Sequence, residues 1–390
     1  MRRALTASEL RRLRLAAQGL PADARGEGSG AERAAATARR MLALQGQDWR
    51  SSRWALGVRT PGIEVEHVHA AFDAGTLVRS WPMRGTVHVV AAEDIGWLQT
   101  ATNHRVLKDA PRRREFLGLD DAVLEQLVEV SVAALRGGAA LDRDELAATW
   151  TEAGIEWKSN WRYHLVWWLC QNGLAVFGPV SGGDEPRLVS AEEWITAPRR
   201  LGGDEALAEL AVRYASPRGA VSVKDLAWWS GMTVGESRRA VSLASDAGRL
   251  VPIPVEDAGE LWAAPGALDR IPGPSGAGTG AGSGAEAADW LLLPAFDEHL
   301  LGYQDRSAQL EPGHFARIVP GRNGVFLATV VRDGRVVGTW KRGAKQGEGI
   351  VATALPGESL DAGVERLAER AAEWGAFQGL DRIAFAVTAP

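Results

Sequence analysis

Gln45 and Gln47 stand one residue apart in Ala43-Leu44-Gln45-Gly46-Gln47-Asp48, and two primary amides at that spacing can act on one small target. A Gln amide is neutral at every pH, and its one acceptor and two donors can orient a water molecule. That suits hydrolysis of a bond already primed to break, where the protein need only place water and stabilise developing charge. The residue pattern predicts a helix over 32–44 and a second over 50–58, so both amides would project from the turn between them. The alternative is a polar helix end whose amides cap backbone groups.

Other chemistries find little support. The seven His (67, 69, 88, 104, 164, 299 and 314) form no His-x-x-x-His pair, and His67 and His69 face different sides of a predicted helix. No metal site and no cofactor are expected. No Gly-rich phosphate loop follows a strand, and there is no nucleophile elbow. Asp297-Glu298-His299, followed by Tyr303 to Arg306, could supply a general base, but a structural ion pair with Arg306 is the favoured reading. Most of the sixteen Trp read as core. Trp49 and Trp81 flank the distinctive motifs and are expected in the core, the alternative being a stack on a base worth about 1–3 kcal/mol.

The elements that must hold these groups repeat. After an opening helix and a loop over 19–30, the order helix, helix, helix, two-stranded hairpin is predicted three times. The first unit has helices at 32–44, 50–58 and 65–74, with strands at 77–81 and 86–90. The second has helices at 122–136, 143–153 and 160–172, the third at 205–214, 223–230 and 235–247, each with its own hairpin. That is the order of a winged helix, whose third helix normally enters a DNA groove. A Gly- and Ser-rich linker follows, then strands at 290–293, 324–332 and 335–341, a helix at 360–373 and a last strand at 382–387. The resulting domains are 1–115 (first unit with both Gln), 116–200, 201–266, a linker at 267–288, and a β-rich domain at 289–390.

With 390 residues and 46% hydrophobic content the chain can bury a large core, and no apolar run is long enough to suggest a membrane span. Cys170 stands alone, excluding an internal disulfide and a Cys-based zinc cluster; with a charged start and no apolar leader, a reducing cytoplasm is the expected setting. The net charge of −5 argues against a uniformly basic coat, but residues 1–50 carry ten Arg and no Lys against five acids, and Arg112-Arg113-Arg114 forms a second basic run. Segregated charge of this kind can hold a phosphate backbone; a solvated helix face is the alternative for Arg112 to Arg114.

The stretches Leu44-Gln45-Gly46-Gln47-Asp48, Arg79-Ser80-Trp81-Pro82-Met83-Arg84-Gly85-Thr86-Val87-His88, Phe296-Asp297-Glu298-His299-Leu300-Leu301-Gly302-Tyr303, and Asn323-Gly324-Val325-Phe326 through Val337-Gly338-Thr339-Trp340 occur in that order. Together they resemble the bacterial winged-helix DNA glycosylases of the AlkZ-like type, linked to resistance against DNA interstrand crosslinks, over about residues 5 to 388. The resemblance implies an α+β fold of three tandem winged helices in a C-shape with a C-terminal β-barrel-like domain. It implies a catalytic role for Gln45 and Gln47, where a sister branch carries Gln-x-Asp; Gly46 departs from the apolar residue usual between them, and its backbone freedom bears on the rigidity of the pair. It also implies that the hairpin approached through Pro320 to Gly324 lies near the lesion. Candidate DNA contacts are Arg84, Arg112, Arg113, Arg114, Arg238, Arg322 and Asn323.

Alkylation of a purine at N7 puts positive charge on the base, which then leaves as a neutral species. Such a substrate needs an oriented water and support for positive charge at C1′, with Gln47 positioning the water and Gln45 supporting it, or the roles exchanged. No Lys occurs in residues 1–107, so a Schiff-base lyase step there is not expected. The expected partner is double-stranded DNA with alkylated or crosslinked purines, bound by a monomer and released with an abasic site. The competing readings are a non-enzymatic transcription regulator, with Ser237, Arg238 and Arg239 aimed at a groove, and a drug-sequestering resistance protein.

Overall fold

Ser29 and Glu32 start the helix that leads to the paired amides: Ser29 caps the Glu32 N–H, while the Glu32 carboxylate accepts from the Ser29 N–H at 2.8 Å. In the computed structural model, which describes residues 3–22, 26–180, 184–271, 289–322, 324–343 and 349–388, this helix spans Gly30–Met41. It ends before the expected residue 44. Leu42 takes φ 68°, a left-handed conformation that an L-residue holds only when packing enforces it, and Leu42 is fully buried. The chain leaves the helix as a short strand, β1 (Ala43–Gln45), so Gln45 ends a strand and not a helix.

β2 (Leu77–Met83) and β3 (Thr86–Ala91) form a hairpin whose two central residues, Arg84 and Gly85, have φ 52° and 67°. Positive φ at both is the type I′ geometry that matches strand twist. β1 adds to β3 with Gln45 opposite His88, and β4 (Ala175–Phe177) and β5 (Leu188–Ser190) add beyond β2, giving the order β1-β3-β2-β4-β5. The first two hairpins, expected as separate wings, therefore share one five-stranded sheet. All of β2 is buried, so that hairpin has neighbours where a wing would have solvent. The third unit keeps the predicted order: helices Gly203–Ala215, Val223–Ser230 and Val234–Asp246, then a separate two-stranded sheet, β6 (Val251–Val255) and β7 (Gly259–Ala263), bridged at its edges by Leu5 and Val221.

The C-terminal region is an open sheet. β8 (Trp290–Leu293), β9 (Thr329–Arg332), β10 (Arg335–Arg342), β11 (Ile350–Ala354) and β12 (Phe385–Thr388) lie in the order β12-β11-β10-β9-β8, with β8 and β12 as its edges. Among the described residues the barrel-like closure implied by resemblance is absent. The sheet buries its side chains against other elements instead of against itself: Trp290, Val330 and Ile350 share a core with Leu367 and Phe377 of the Val364–Phe377 helix and with Leu56 and Phe72 of the first unit.

Asp297 and Glu298 are structural, but their partner is not Arg306. Asp297 accepts both Arg59 Nη atoms at 2.8 Å, and Glu298 pairs with Arg218 and accepts from Trp229 Nε1 at 3.0 Å. Arg306 instead donates to the Leu300 carbonyl. Burial raises the Asp297 pKa, yet the Arg59 charge and hydrogen bonds outweigh it and hold the group below the usual carboxylate range. These pairs pin the C-terminal region to the first and third units. Among the described residues, no helix is long and apolar enough to cross a membrane.

Candidate active site and nucleic-acid interface

The end of β1 places Gln45 and Gln47 in direct contact. Gln45 Oε1 accepts the backbone N–H of Gln47 at 2.8 Å, and Gln45 Nε2 donates to Gln47 Oε1 at 2.8 Å. The network fixes both amide orientations. A backbone N–H can only donate, so the atom of Gln45 facing it is oxygen; its nitrogen then faces Gln47, whose nearer atom must accept. Gln45 is 7% exposed and Gln47 is exposed. Gln47 thus presents a donor, Nε2, and the remaining acceptor capacity of Oε1 outward, held from behind by Gln45.

Gly46 does not loosen this turn. Its N–H donates to the Val87 carbonyl at 2.8 Å, and its carbonyl accepts from Arg79 Nε at 2.8 Å. A Cβ at Gly46 would stand 3.0 Å from the His88 carbonyl carbon, so a side chain there would press on the backbone of β3. Arg79 also donates to the Gln47 carbonyl at 3.4 Å and pairs with Glu185 at 3.0 Å. Arg79 was part of a recognised motif but not expected at the site; a buried Arg on a strand was the available signal. Asp48, next in the chain, is occupied as the N-cap of the Trp49–Gly57 helix, accepting from Ser51 at 2.6 Å.

His88, opposite Gln45, is fully buried and donates from Nδ1 to the Thr86 carbonyl at 2.9 Å. Burial, helped by the Arg84 charge, pushes its pKa down to about 3, so it is neutral at physiological pH and a weak base. The two tryptophans near the motifs are core residues. Trp49 is buried edge-on to Phe72 and donates to the Asp184 carbonyl; Trp81 is 1% exposed and packs on Phe177 and Tyr163.

The expected DNA contacts divide. Arg112 and Arg113 are exposed on the Ala110–Leu117 helix, and Arg238 is exposed along a cleft of about 800 Å³. Arg114, on the inner side of its helix, pairs with Asp121 at 2.7 Å and lies over Trp168. Arg84 is not a free hairpin-tip cation: its guanidinium lies 4.7 Å over the Trp228 ring and donates to the Trp228 carbonyl. Arg322 closes the Pro320–Arg322 turn, and Asn323 lies outside the described residues. The groove-reading side of the third unit is largely engaged within the chain: Ser237 is buried, Arg239 pairs with Asp204, and Glu236 pairs with His104 at 3.2 Å.

Comparison with known proteins bears on the fold and the family. An interstrand DNA cross-link repair glycosylase of Streptomyces sahachiroi is 24% identical over 322 residues, which are 77% of this chain and 80% of that protein. The solved structure of the Streptomyces sahachiroi DNA glycosylase AlkZ covers 99% of this chain and 100% of its own, with a TM-score of 0.76 at 20% identity, so the two share a fold. The model of a family described as DNA glycosylase AlkZ-like matches residues 38–374, and this chain belongs to that family.

Proposed function

We propose that the protein is a monofunctional DNA glycosylase that hydrolyses the N-glycosidic bond of N7-alkylated purines in double-stranded DNA, interstrand crosslinks included, and leaves an abasic site. The observation that carries this reading is the clamp of Gln45 on Gln47, which leaves one neutral amide preorganised and outward-facing. Gln47 holds the attacking water and supports positive charge developing at C1′, while Gln45 acts as its positioning residue. An N7-alkylpurine is already a good leaving group, so no acid is required, and the buried carboxylates Asp297 and Glu298 are committed to Arg59 and Arg218. The first lysine in the chain is Lys108, which leaves no amine on the catalytic turn for a Schiff base. A bulky crosslink is hard to rotate into a closed pocket, and an exposed Gln47 suits a lesion attacked in an open cleft. The relative's name, a cross-link repair glycosylase, supports the same substrate class. The protein acts as a monomer in the bacterial cytoplasm, at the nucleoid. The test is release of free base from an N7-alkylguanine duplex with no cofactor added; sequence-selective binding of undamaged DNA without base release would overturn the reading.

A further inference from the structure

A recess of about 220 Å³ opens between the tip of the β2–β3 hairpin and the helices His104–Lys108, Ala110–Leu117 and Arg162–Gln171. Gly85, Arg113, Asn160, Tyr163, His164 and Trp167 line it. One wall is aromatic, formed by Tyr163, His164 and Trp167. The His164 and Trp167 rings lie 5.2 Å apart with planes 25° from parallel, and Tyr163 stands edge-on to Trp81 at 6.1 Å. Tyr163 is 59% exposed, and Phe116, 78% exposed, lies under the guanidinium of Arg113, which lines the recess. Two large aromatic rings held in solvent next to a concave aromatic wall mark a surface kept for a ligand.

Two further observations point to what that ligand is. His164 is 5% exposed, and its Nε2 has no hydrogen-bond partner among the described residues. Burial, with Arg114 and Arg113 nearby, brings its pKa down to about 4, so it offers a neutral ring. Around the recess positive charge is in excess: Arg113 and one carboxylate, Asp109, line it, and Lys108 and Arg112 are exposed on the same two helices. An aromatic slot with a cationic rim matches a flat ring attached to a phosphate backbone. The volume is below that of drug-sized pockets, about 300–1,000 Å³, and suits one planar ring system.

The recess is close to the catalytic turn. Gln45 faces His88, Gly46 bonds to Val87, and the same register carried on reaches Gly85, so the recess begins about 10 Å along β3 from the Gln pair. That is within a few stacked base pairs of the bond to be cut, at about 3.4 Å each. We propose that this recess is a second binding site, which takes a planar aromatic ring carried by lesion-bearing DNA: the extrahelical purine, or an aromatic group on the adduct. The proposal rests on the DNA reading above.

The test uses the full chain as wild type, Tyr163→Ala and Tyr163→Phe on three duplexes: undamaged, N7-methylguanine and N7-benzylguanine. Affinity is read by anisotropy on rapid mixing, and free base is collected from the same samples. Tyr163→Ala loses at least about fivefold in affinity for damaged DNA, the low end for removing one stacking platform, while Tyr163→Phe keeps wild-type affinity. Loss on the benzyl duplex alone assigns the recess to the adduct ring; loss on both lesions but not on undamaged DNA assigns it to the purine. No loss, or equal loss on undamaged DNA, overturns the proposal. Absence of base release by the wild type would instead sink the glycosylase reading, while the affinity pattern would still decide the recess.

Discussion

Arg79 holds the turn that carries Gln47 from below: its guanidinium bonds the carbonyl of Gly46 at 2.8 Å and that of Gln47 at 3.4 Å. The side chain is 6% exposed, braced by Glu185 and lying over the Trp49 and Phe177 rings. The position of Gln47 is therefore set by a residue on a different strand as well as by Gln45.

The first prediction follows from that brace. Lysine cannot bond two carbonyls in the fixed fork of a guanidinium. Arg79→Lys is expected to slow single-turnover base release by about tenfold or more, since misplacing a reacting group by about 1 Å can cost 10²-fold. DNA affinity should stay within about twofold, because the charge is kept and the group faces inward. A wild-type rate in the folded variant would show that the turn holds itself.

The second prediction separates three adjacent arginines. Arg112 and Arg113 are exposed, whereas Arg114 is taken up by Asp121 and Trp168. Replacing Arg112 and Arg113 together with Ala should lower the log–log salt slope of DNA binding by about two, one for each lost phosphate contact. The loss should be alike for damaged and undamaged duplexes. Arg114→Ala should leave the slope unchanged and lower Tm instead. An unchanged slope in the double variant would make those two arginines a solvated face.

The same helix shows what could be read from sequence and what could not. Ala110, Arg114 and Leu117 recur at the spacing of one helix face and are its buried residues, so the inward turn of Arg114 was present in the pattern. The Gln pair was legible for a different reason: both residues are local, and their contact spans only one residue. Arg84 was not legible. A hairpin-tip arginine looks free until the third unit's Trp228, far along the chain, is laid against it. β1 was missed because Leu42 is forced into a left-handed conformation by packing that no local propensity encodes. The merged sheet has the same origin, since β2 meets β4 through a single pairing of Arg79 with Phe177. Tyr163, His164 and Trp167 lie within one helical turn of each other, yet a Trp-rich helix read as core gave no hint that one edge borders a recess.

The third prediction concerns acid stability. Burial pushes His88 down to about 3, and His164 and His299 to about 4, against about 6.5 for an unfolded histidine. Between those limits the unfolded chain binds protons that the folded chain does not. Stability is therefore full above about pH 6.5 and falls as the pH drops toward 4, by up to about 1.4 kcal/mol per pH unit for each histidine. Urea unfolding across about pH 7.5 to 5 reads this directly. Equal stability at the two ends would mean that the three rings take up protons in the folded state.

The central claim is that Gln47 does the chemistry and Gln45 positions it, and single-turnover excision of N7-methylguanine from a duplex tests it most directly. Gln47→Ala is expected to slow base release by about 10² or more, the scale for losing one transition-state hydrogen-bonding group, with little change in DNA affinity. Gln45→Glu keeps an acceptor for the Gln47 N–H but loses the donor to Gln47 Oε1, so its rate should fall between that of Gln47→Ala and the wild type. Wild-type release by Gln47→Ala would contradict the account, and a larger loss in Gln45→Glu than in Gln47→Ala would exchange the two roles.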